Sequence, residues 1–138
     1  VWRYQVPRLP EEKLPPFIAF LGEKWQWKDM KTEGDKQIPY RWSRKDAEVY
    51  VYSKKAIQVK ARLLLDAPQV KRALAPSWNG EPLPSREIEK KKLTAVTYTL
   101  TLQPGLNTLL LSSPPPEVEP KYPHLIFNVR EIEFVPEG

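Results

Sequence analysis

Five tryptophans lie among the 138 residues, and Trp25, Trp27 and Trp42 are close together in the sequence. Aromatic rings stack on the CH faces of sugars, and charged side chains beside them bond the sugar hydroxyls. Trp25 and Trp27 would share one face of a strand, because side chains alternate along it. With Arg41 next to Trp42, this spacing predicts a carbohydrate-binding face formed by Trp25, Trp27, Arg41 and Trp42. The alternative is that these tryptophans pack in the core or at its rim.

Four acidic residues between positions 23 and 35 supply carboxylate oxygens, the ligands that calcium prefers. They are Glu23, Asp29, Glu33 and Asp35. Their spacing matches no EF-hand loop, so we expect a solvated loop and predict no metal site. A glycosidase would need two carboxylates roughly 5–10 Å apart, and no pair of acids in the sequence stands out for that role.

No other motif predicts catalysis or a cofactor. The one histidine, His124, is accompanied by neither a cysteine nor a serine nucleophile elbow, so a nucleophile with its base is missing. The five glycines are scattered, which excludes a glycine-rich phosphate-binding loop. We therefore expect a protein that is not an enzyme and has no cofactor, and a small β-fold hydrolase is the least favoured alternative.

The charge balance is mildly basic, with 22 Lys and Arg against 17 Asp and Glu and a net charge of +5. Basic clusters such as residues 90–92 have acids close by, which is typical of a solvated surface. No nucleic-acid partner is expected, although a single-stranded nucleic-acid-binding β-barrel stays open as an alternative. The absence of cysteine, a single methionine and abundant lysine and glutamate also favour a thermophilic source.

The 16 prolines exclude a mostly helical chain, because a proline inside a helix costs about 3 kcal/mol. Residues 1–16 predict a proline-rich linker, followed by one domain over residues 17–138. A second proline-rich stretch, residues 112–123, predicts a long extended loop. No apolar run approaches the roughly 18 residues that span a bilayer. Since the chain begins at Val1, we expect a fragment whose membrane segment lies upstream.

Apolar residues at every second position predict strands over most of the domain. The alternation is longest in residues 57–65 and 95–102, where one face is apolar and the other polar. Residues 17–21 and 47–52 predict shorter strands. Residues 23–39 are polar and turn-prone, and they predict a long loop with short strands.

A tight turn and a bulge complete the predicted architecture. Asn79–Gly80 predicts a hairpin turn, because both central residues need positive φ. In the last predicted strand, residues 125–135, the apolar parity changes between Val129 and Ile132. A bulge near Arg130–Glu131 would bring both sets onto the core. About eight short strands with little helix predict an all-β fold, a β-sandwich of the jelly-roll type with long proline-rich loops.

Three groups of segments together resemble a known type of domain. They are residues 20–25 (FLGEKW) with 40–43 (YRWS) and 47–49 (AEV), residues 78–80 (WNG) with 100–109 (LTLQPGLNTL), and residues 127–134 (FNVREIEF). Their order, over about residues 17–135, resembles galactose-binding-like or carbohydrate-binding-module-like β-sandwiches. Such domains form the C-terminal extracytoplasmic part of prokaryotic multi-pass membrane proteins. Several of those parents look like glycosyltransferases that use dolichyl- or polyprenyl-phosphate sugars.

The resemblance implies a non-catalytic accessory domain on the extracytoplasmic face of a membrane, as part of a larger protein. The implied partners are a glycan, a lipid-linked sugar or the parent membrane enzyme, and no catalytic residue carries over. A protein–protein interaction or structural module without a small ligand is the main alternative.

Overall fold

The computed structural model describes residues 16–33 and 35–137, and all regular structure there is β. In chain order the strands are β1 (Phe17–Leu21), β2 (Trp25–Glu33), β3 (Lys36–Ser43), β4 (Ala47–Ser53), β5 (Ile57–Asp66), β6 (Arg72–Leu74), β7 (Ser77–Trp78), β8 (Glu81–Pro82), β9 (Arg86–Ile88), β10 (Thr94–Leu102), β11 (Gly105–Leu111) and β12 (Asn128–Pro136). Of the predicted linker, residues 1–16, only Pro16 falls inside the described residues. Among these residues no helix is long and apolar enough to cross a membrane.

The strands form two five-stranded antiparallel sheets and a small separate pair. The first sheet has the order β1-β4-β11-β7-β8, the second has the order β10-β5-β12-β3-β2, and β6 pairs with β9. Successive strands such as β3, β4 and β5 change sheet at each connection, which is the alternation of a jelly roll. The fold is therefore the predicted all-β sandwich. The barrel alternative is wrong as a fold, because neither sheet closes on itself within the described residues.

Inward-pointing side chains of both sheets make one core. β5 buries every second residue from Val59 to Leu65, and β10 does the same from Val96 to Leu102. The three threonines between the buried residues of β10 are exposed, so the predicted alternation is confirmed. Each large apolar side chain that is fully buried stabilises the fold by about 1.5–3 kcal/mol. The strand pattern of the sequence thus places the core correctly.

The bulge predicted in the last strand is confirmed. The pairing of β12 with β5 shifts register between Val129 and Glu131. Val129 pairs with Leu65 and Ile132 pairs with Leu63, so residues of opposite parity both face the core. The bulge therefore leaves one extra residue, Arg130, in β12.

Two asparagines tie together the turns at one end of the first sheet. Asn79 and Gly80, with φ angles of 49° and 86°, make the predicted turn between β7 and β8. The fully buried Asn107 accepts a hydrogen bond from the Gln103 N–H and donates one to the Gln103 carbonyl, each over 2.9 Å. Its Oδ1 also accepts from Asn79 Nδ2 over 2.9 Å. Each turn therefore holds the other in place.

The prediction for residues 23–39 is wrong, because most of them belong to the long hairpin of β2 and β3. Their sequence lacks alternation, and the hairpin is completed by pairing with β12, which is far away in the chain. The count of about eight strands is also too low. Residues 72–88 alone contain four strands of two or three residues each. The last strand begins at Asn128 rather than at Leu125.

Candidate functional site

An open cleft lies where the end of β1 meets β3 and β12. Its volume is about 310 Å³, and both sheets contribute to it. The lining residues are Leu21 from the first sheet and Trp25, Tyr40, Arg41, Val129, Arg130, Glu131 and Ile132 from the second.

Trp25 forms one wall of this cleft and is held by a hydrogen bond between the sheets. Its indole N–H donates to the carbonyl oxygen of Glu48 on β4 over 2.8 Å, and its half-buried ring packs against the core. The same carbonyl oxygen accepts the Gly22 N–H over 2.8 Å. The hydrogen bond and the packing of the Trp25 ring are both made within the protein. The ring therefore has one orientation before any ligand binds.

The corner between β1 and β2 places Trp25 at the cleft. Lys24 turns the chain there with a φ of 71°, and its carbonyl oxygen accepts the Arg44 N–H over 2.8 Å. A Cβ atom on Gly22 would lie 2.7 Å from Cε2 of Tyr50, so only glycine allows this close approach. Backbone contacts therefore fix the path of the chain into β2.

Charged residues also line the cleft. Arg41 of β3 pairs with Val129 of β12, and the bulge that follows Val129 places Arg130 and Glu131 at the cleft. A guanidinium group offers N–H donors in a fixed fork, and a carboxylate accepts hydrogen bonds. The cleft thus combines an aromatic face with donors and acceptors around it, which is the chemistry that a sugar ring requires.

The structure brings together two of the four predicted site residues, Trp25 and Arg41. Trp42 is not among the residues that line the cleft, although it contacts one that is. It packs edge-on against Tyr40, with ring centroids 6.3 Å apart and planes at 68°. The side chain of Trp27 lies outside the described side chains. A register shift between Trp25 and Lys28 falls at this position, so the two-residue spacing alone does not establish a shared face.

Arg130 and Glu131 are the functional candidates that the sequence pattern did not supply. The parity change in the last strand predicted the bulge but not its neighbours across the sheet. A bulge redirects side chains and is common beside functional sites. The signal that could have found both residues is therefore the bulge itself.

A second surface stands out on the outer face of the first sheet. Ile18 and Phe20 of β1, Tyr52 of β4 and Leu106 of β11 lie there, with exposed fractions of 62%, 48%, 52% and 58%. We call these four residues the outer apolar patch. The outer face of β10 presents threonines instead. The exposed faces of β1 and β10 therefore differ in chemistry.

Tyr50 and Glu48 border the outer apolar patch. The ring of Tyr50 meets Phe20 edge-on, with centroids 5.6 Å apart. The Tyr50 hydroxyl donates to Oε2 of Glu48. This hydrogen bond raises the pKa of Tyr50, since the neutral phenol is the donor, and partial desolvation and the Glu48 charge act in the same direction.

His124 is exposed and meets Tyr122 edge-on, with ring centroids 6.4 Å apart. Within residues 16–33 and 35–137, no three His, Cys, Asp or Glu side chains are grouped so that they could hold a metal ion.

Comparison with known proteins shows which folds are similar to this one. No protein-family model matches the chain, and no curated protein matches it as a relative. A Podospora anserina GH26-CBM35 β-(1,4)-mannanase matches 89% of this chain with a TM-score of 0.58 at 12% identity, and the match spans 28% of that enzyme. The CBM35 from Cellvibrio japonicus Abf62 matches with a TM-score of 0.57 at 13% identity, over 86% of this chain and 88% of that module.

A third similar structure is the CBM22-1 xylan-binding domain from Paenibacillus barcinonensis Xyn10C. Its TM-score is 0.54 at 12% identity, over 86% of this chain and 85% of that domain. At such identities the similarity is one of fold. The chain has the β-sandwich fold of carbohydrate-binding modules, as the resemblance in its sequence predicted.

Proposed function

We propose that this chain is a non-catalytic glycan-binding domain and that the cleft beside Trp25 holds the sugar. One observation carries the proposal: the oriented, half-buried ring of Trp25 shares a cleft with Arg41 and Glu131. A pyranose offers an apolar CH face to the ring and hydroxyls to the charged groups. The similarity in fold to carbohydrate-binding modules supports the same conclusion.

The size of the cleft indicates how much of a glycan it takes. Its volume of about 310 Å³ is at the lower end of the range for ligand sites in proteins. Because the cleft is open, one or two sugar units would occupy it while the rest of the glycan continues into solvent. Oligosaccharides of several units are therefore better probes than monosaccharides.

Isothermal titration calorimetry against a panel of glycans tests this proposal. The panel contains manno-, xylo- and cello-oligosaccharides, since similar modules occur in a mannanase and bind xylan or cellotriose. We expect Arg41→Ala to weaken binding about tenfold or more, through lost charge-assisted hydrogen bonds. The matched control is Arg86→Ala, which removes an exposed arginine of β9 that does not line the cleft.

Two outcomes would contradict the cleft as a glycan site. One is the absence of binding heat with every glycan in the panel. The other is an equal loss of affinity in Arg41→Ala and Arg86→Ala, which would show that the cleft is not where the sugar binds.

We also propose that the domain lies on the extracytoplasmic face of a membrane, where it contacts a parent membrane enzyme or its lipid-linked sugar. The resemblance of residues 17–135 supports this placement. The reading frame upstream of Val1 tests it. A series of hydrophobic spans would agree with the proposal. An initiator methionine immediately before Val1 would contradict it.

The second candidate function is a protein–protein interaction module without a small ligand. The outer apolar patch favours it, because soluble monomers rarely expose several large apolar side chains next to one another. Glycan titration and the association experiment described next separate the two functions, since each has its own readout.

A further inference from the structure

The free edge of β1 has none of the usual features that prevent strand pairing. β1 is the first strand of its sheet and pairs only with β4 within the described part of the chain. Its sequence, FIAFL, has no charge, proline or glycine, and four of its five residues are exposed. Edge strands normally carry lysine, proline or a bulge, because an open edge invites another strand.

The direction of the backbone groups on this edge follows from two hydrogen bonds. Gly22 N–H donates to the Glu48 carbonyl over 2.8 Å, and Lys54 N–H donates to the Pro16 carbonyl over 3.2 Å. In an antiparallel pair, residues that bond to the neighbour alternate with residues that point away from it. The N–H and C=O groups of Phe17, Ala19 and Leu21 therefore point away from β4.

We propose that two copies of this chain associate by antiparallel pairing of their β1 strands about a twofold axis at Ala19. This register pairs Phe17 with Leu21 of the second copy and Ala19 with Ala19. Every outward-pointing backbone group of β1 then gains a partner. The two first sheets become one continuous sheet, which is an isologous interface of the kind that closes a dimer.

The same register matches the faces of the two sheets. Residues that oppose each other in an antiparallel pair point to the same side. Ile18 of one copy then lies opposite Phe20 of the other, both on the outer face. The two outer apolar patches join across the twofold axis, so apolar side chains that are exposed in one copy cover those of the next.

Charges at the two ends of β1 favour the antiparallel arrangement. Lys54 and Lys55 follow the residue that pairs with Phe17, and Glu23 lies just beyond Leu21. All three side chains are exposed. In the dimer, the Phe17 end of one copy meets the Leu21 end of the other, which places Lys54 and Lys55 near Glu23 on both sides of the axis, while the exposed Lys24 beside Glu23 reduces the attraction. A parallel pairing would bring like charges together.

This proposal goes beyond glycan binding and does not depend on it. Sedimentation velocity of the full chain over a range of concentrations, without glycan, tests it. We expect a concentration-dependent dimer. Ala19→Pro removes an N–H that points away from β4, so it should leave the melting temperature nearly unchanged and raise the dimer dissociation constant about tenfold or more.

A charge exchange gives a second test that leaves the backbone intact. Replacing Lys54 and Lys55 together by glutamate should weaken the dimer several-fold, and adding Glu23→Lys should restore it. Thr99→Lys, on the exposed face of β10, is the control and should leave the dimer unchanged. If Ala19→Pro unfolds the chain, the charge-exchange variants alone test whether the β1 strands pair.

Three results would overturn the proposal. The first is a monomer at all concentrations, which is also the result if the segment before β1 covers this edge itself. The second is a dimer that a folded Ala19→Pro variant forms equally well. The third is a dimer that responds to Thr99→Lys as strongly as to the lysine exchange.

Discussion

The indole N–H of Trp25 in the second sheet donates to the main-chain carbonyl oxygen of Glu48 in the first sheet, over 2.8 Å. This bond links the two layers of the sandwich at the mouth of the cleft. Trp25 therefore serves stability and the candidate sugar site at the same time. Substitutions there require both a stability measurement and a binding measurement.

Trp25→Phe should lower the free energy of unfolding by about 1 kcal/mol, the usual net worth of one hydrogen bond. The Glu48 carbonyl keeps the Gly22 N–H as a partner, so no buried acceptor is left unpaired. Trp78→Phe should cost more, about 2–3 kcal/mol. Trp78 is only 7% exposed, and its indole donates to the Thr101 carbonyl over 3.1 Å. Urea denaturation measures both losses, and a larger loss for Trp25→Phe would contradict the assignment.

Asn107→Ala should destabilise the fold by about 3 kcal/mol, because buried polar groups lose their partners. The Asn107 side chain is fully buried, accepts the Gln103 N–H, and donates to the carbonyl oxygens of Gln103 and Val51. Asn107→Asp should also be destabilising, since a carboxylate cannot donate to these carbonyls. Thermal and urea unfolding check the prediction. A loss below that of Trp25→Phe would show that the network is dispensable.

Gly22→Ala should cost about 1–3 kcal/mol by overpacking. The new methyl group would lie 2.7 Å from the ring of Tyr50 and 3.1 Å from Cβ of Glu48. Gly80→Ala is the comparison, because no atom lies within 4 Å there and only its φ of 86° opposes a side chain. We expect about 1 kcal/mol for that change. Glycan titration adds a second readout, since Gly22→Ala also displaces the corner before Trp25 and Gly80→Ala does not.

Tyr98 should make stability fall at alkaline pH. Burial raises its pKa, Arg86 opposes that shift, and the hydroxyl donates to the Pro84 carbonyl over 2.9 Å. A raised pKa means that the folded state holds the proton more tightly than the unfolded state. The stabilisation is therefore fully present below the unfolded pKa of about 10 and is lost as the pH rises through the folded value.

Tyr98→Phe removes both the hydrogen bond and the titration. We expect it to cost about 1 kcal/mol at neutral pH and to make the decline in stability above about pH 10 shallower. Denaturant unfolding at a series of pH values measures both effects. Thr99→Ala, an exposed change on the same strand, serves as the control and should keep the wild-type slope.

The sequence pattern predicted the parts of the fold that depend on local side-chain alternation. β5 and β10 face one side to water and one to the core, so their burial alternates as predicted. The turn at Asn79–Gly80 and the bulge after Val129 were likewise visible, because each has a local conformational cause. Residues 23–39 gave no such pattern, since the β2–β3 hairpin depends on pairing with β12, a partner distant in the chain.

Sequence alone therefore determined the fold class, much of the core and two members of the cleft, Trp25 and Arg41. Only the tertiary structure decided that Arg130 and Glu131 join them and that Trp42 does not. Strand pairing sets which residues become neighbours across a sheet, and this depends on the spatial order of the strands in that sheet. For the same reason the edge position of β1 became visible only when the place of each described strand in its sheet was known.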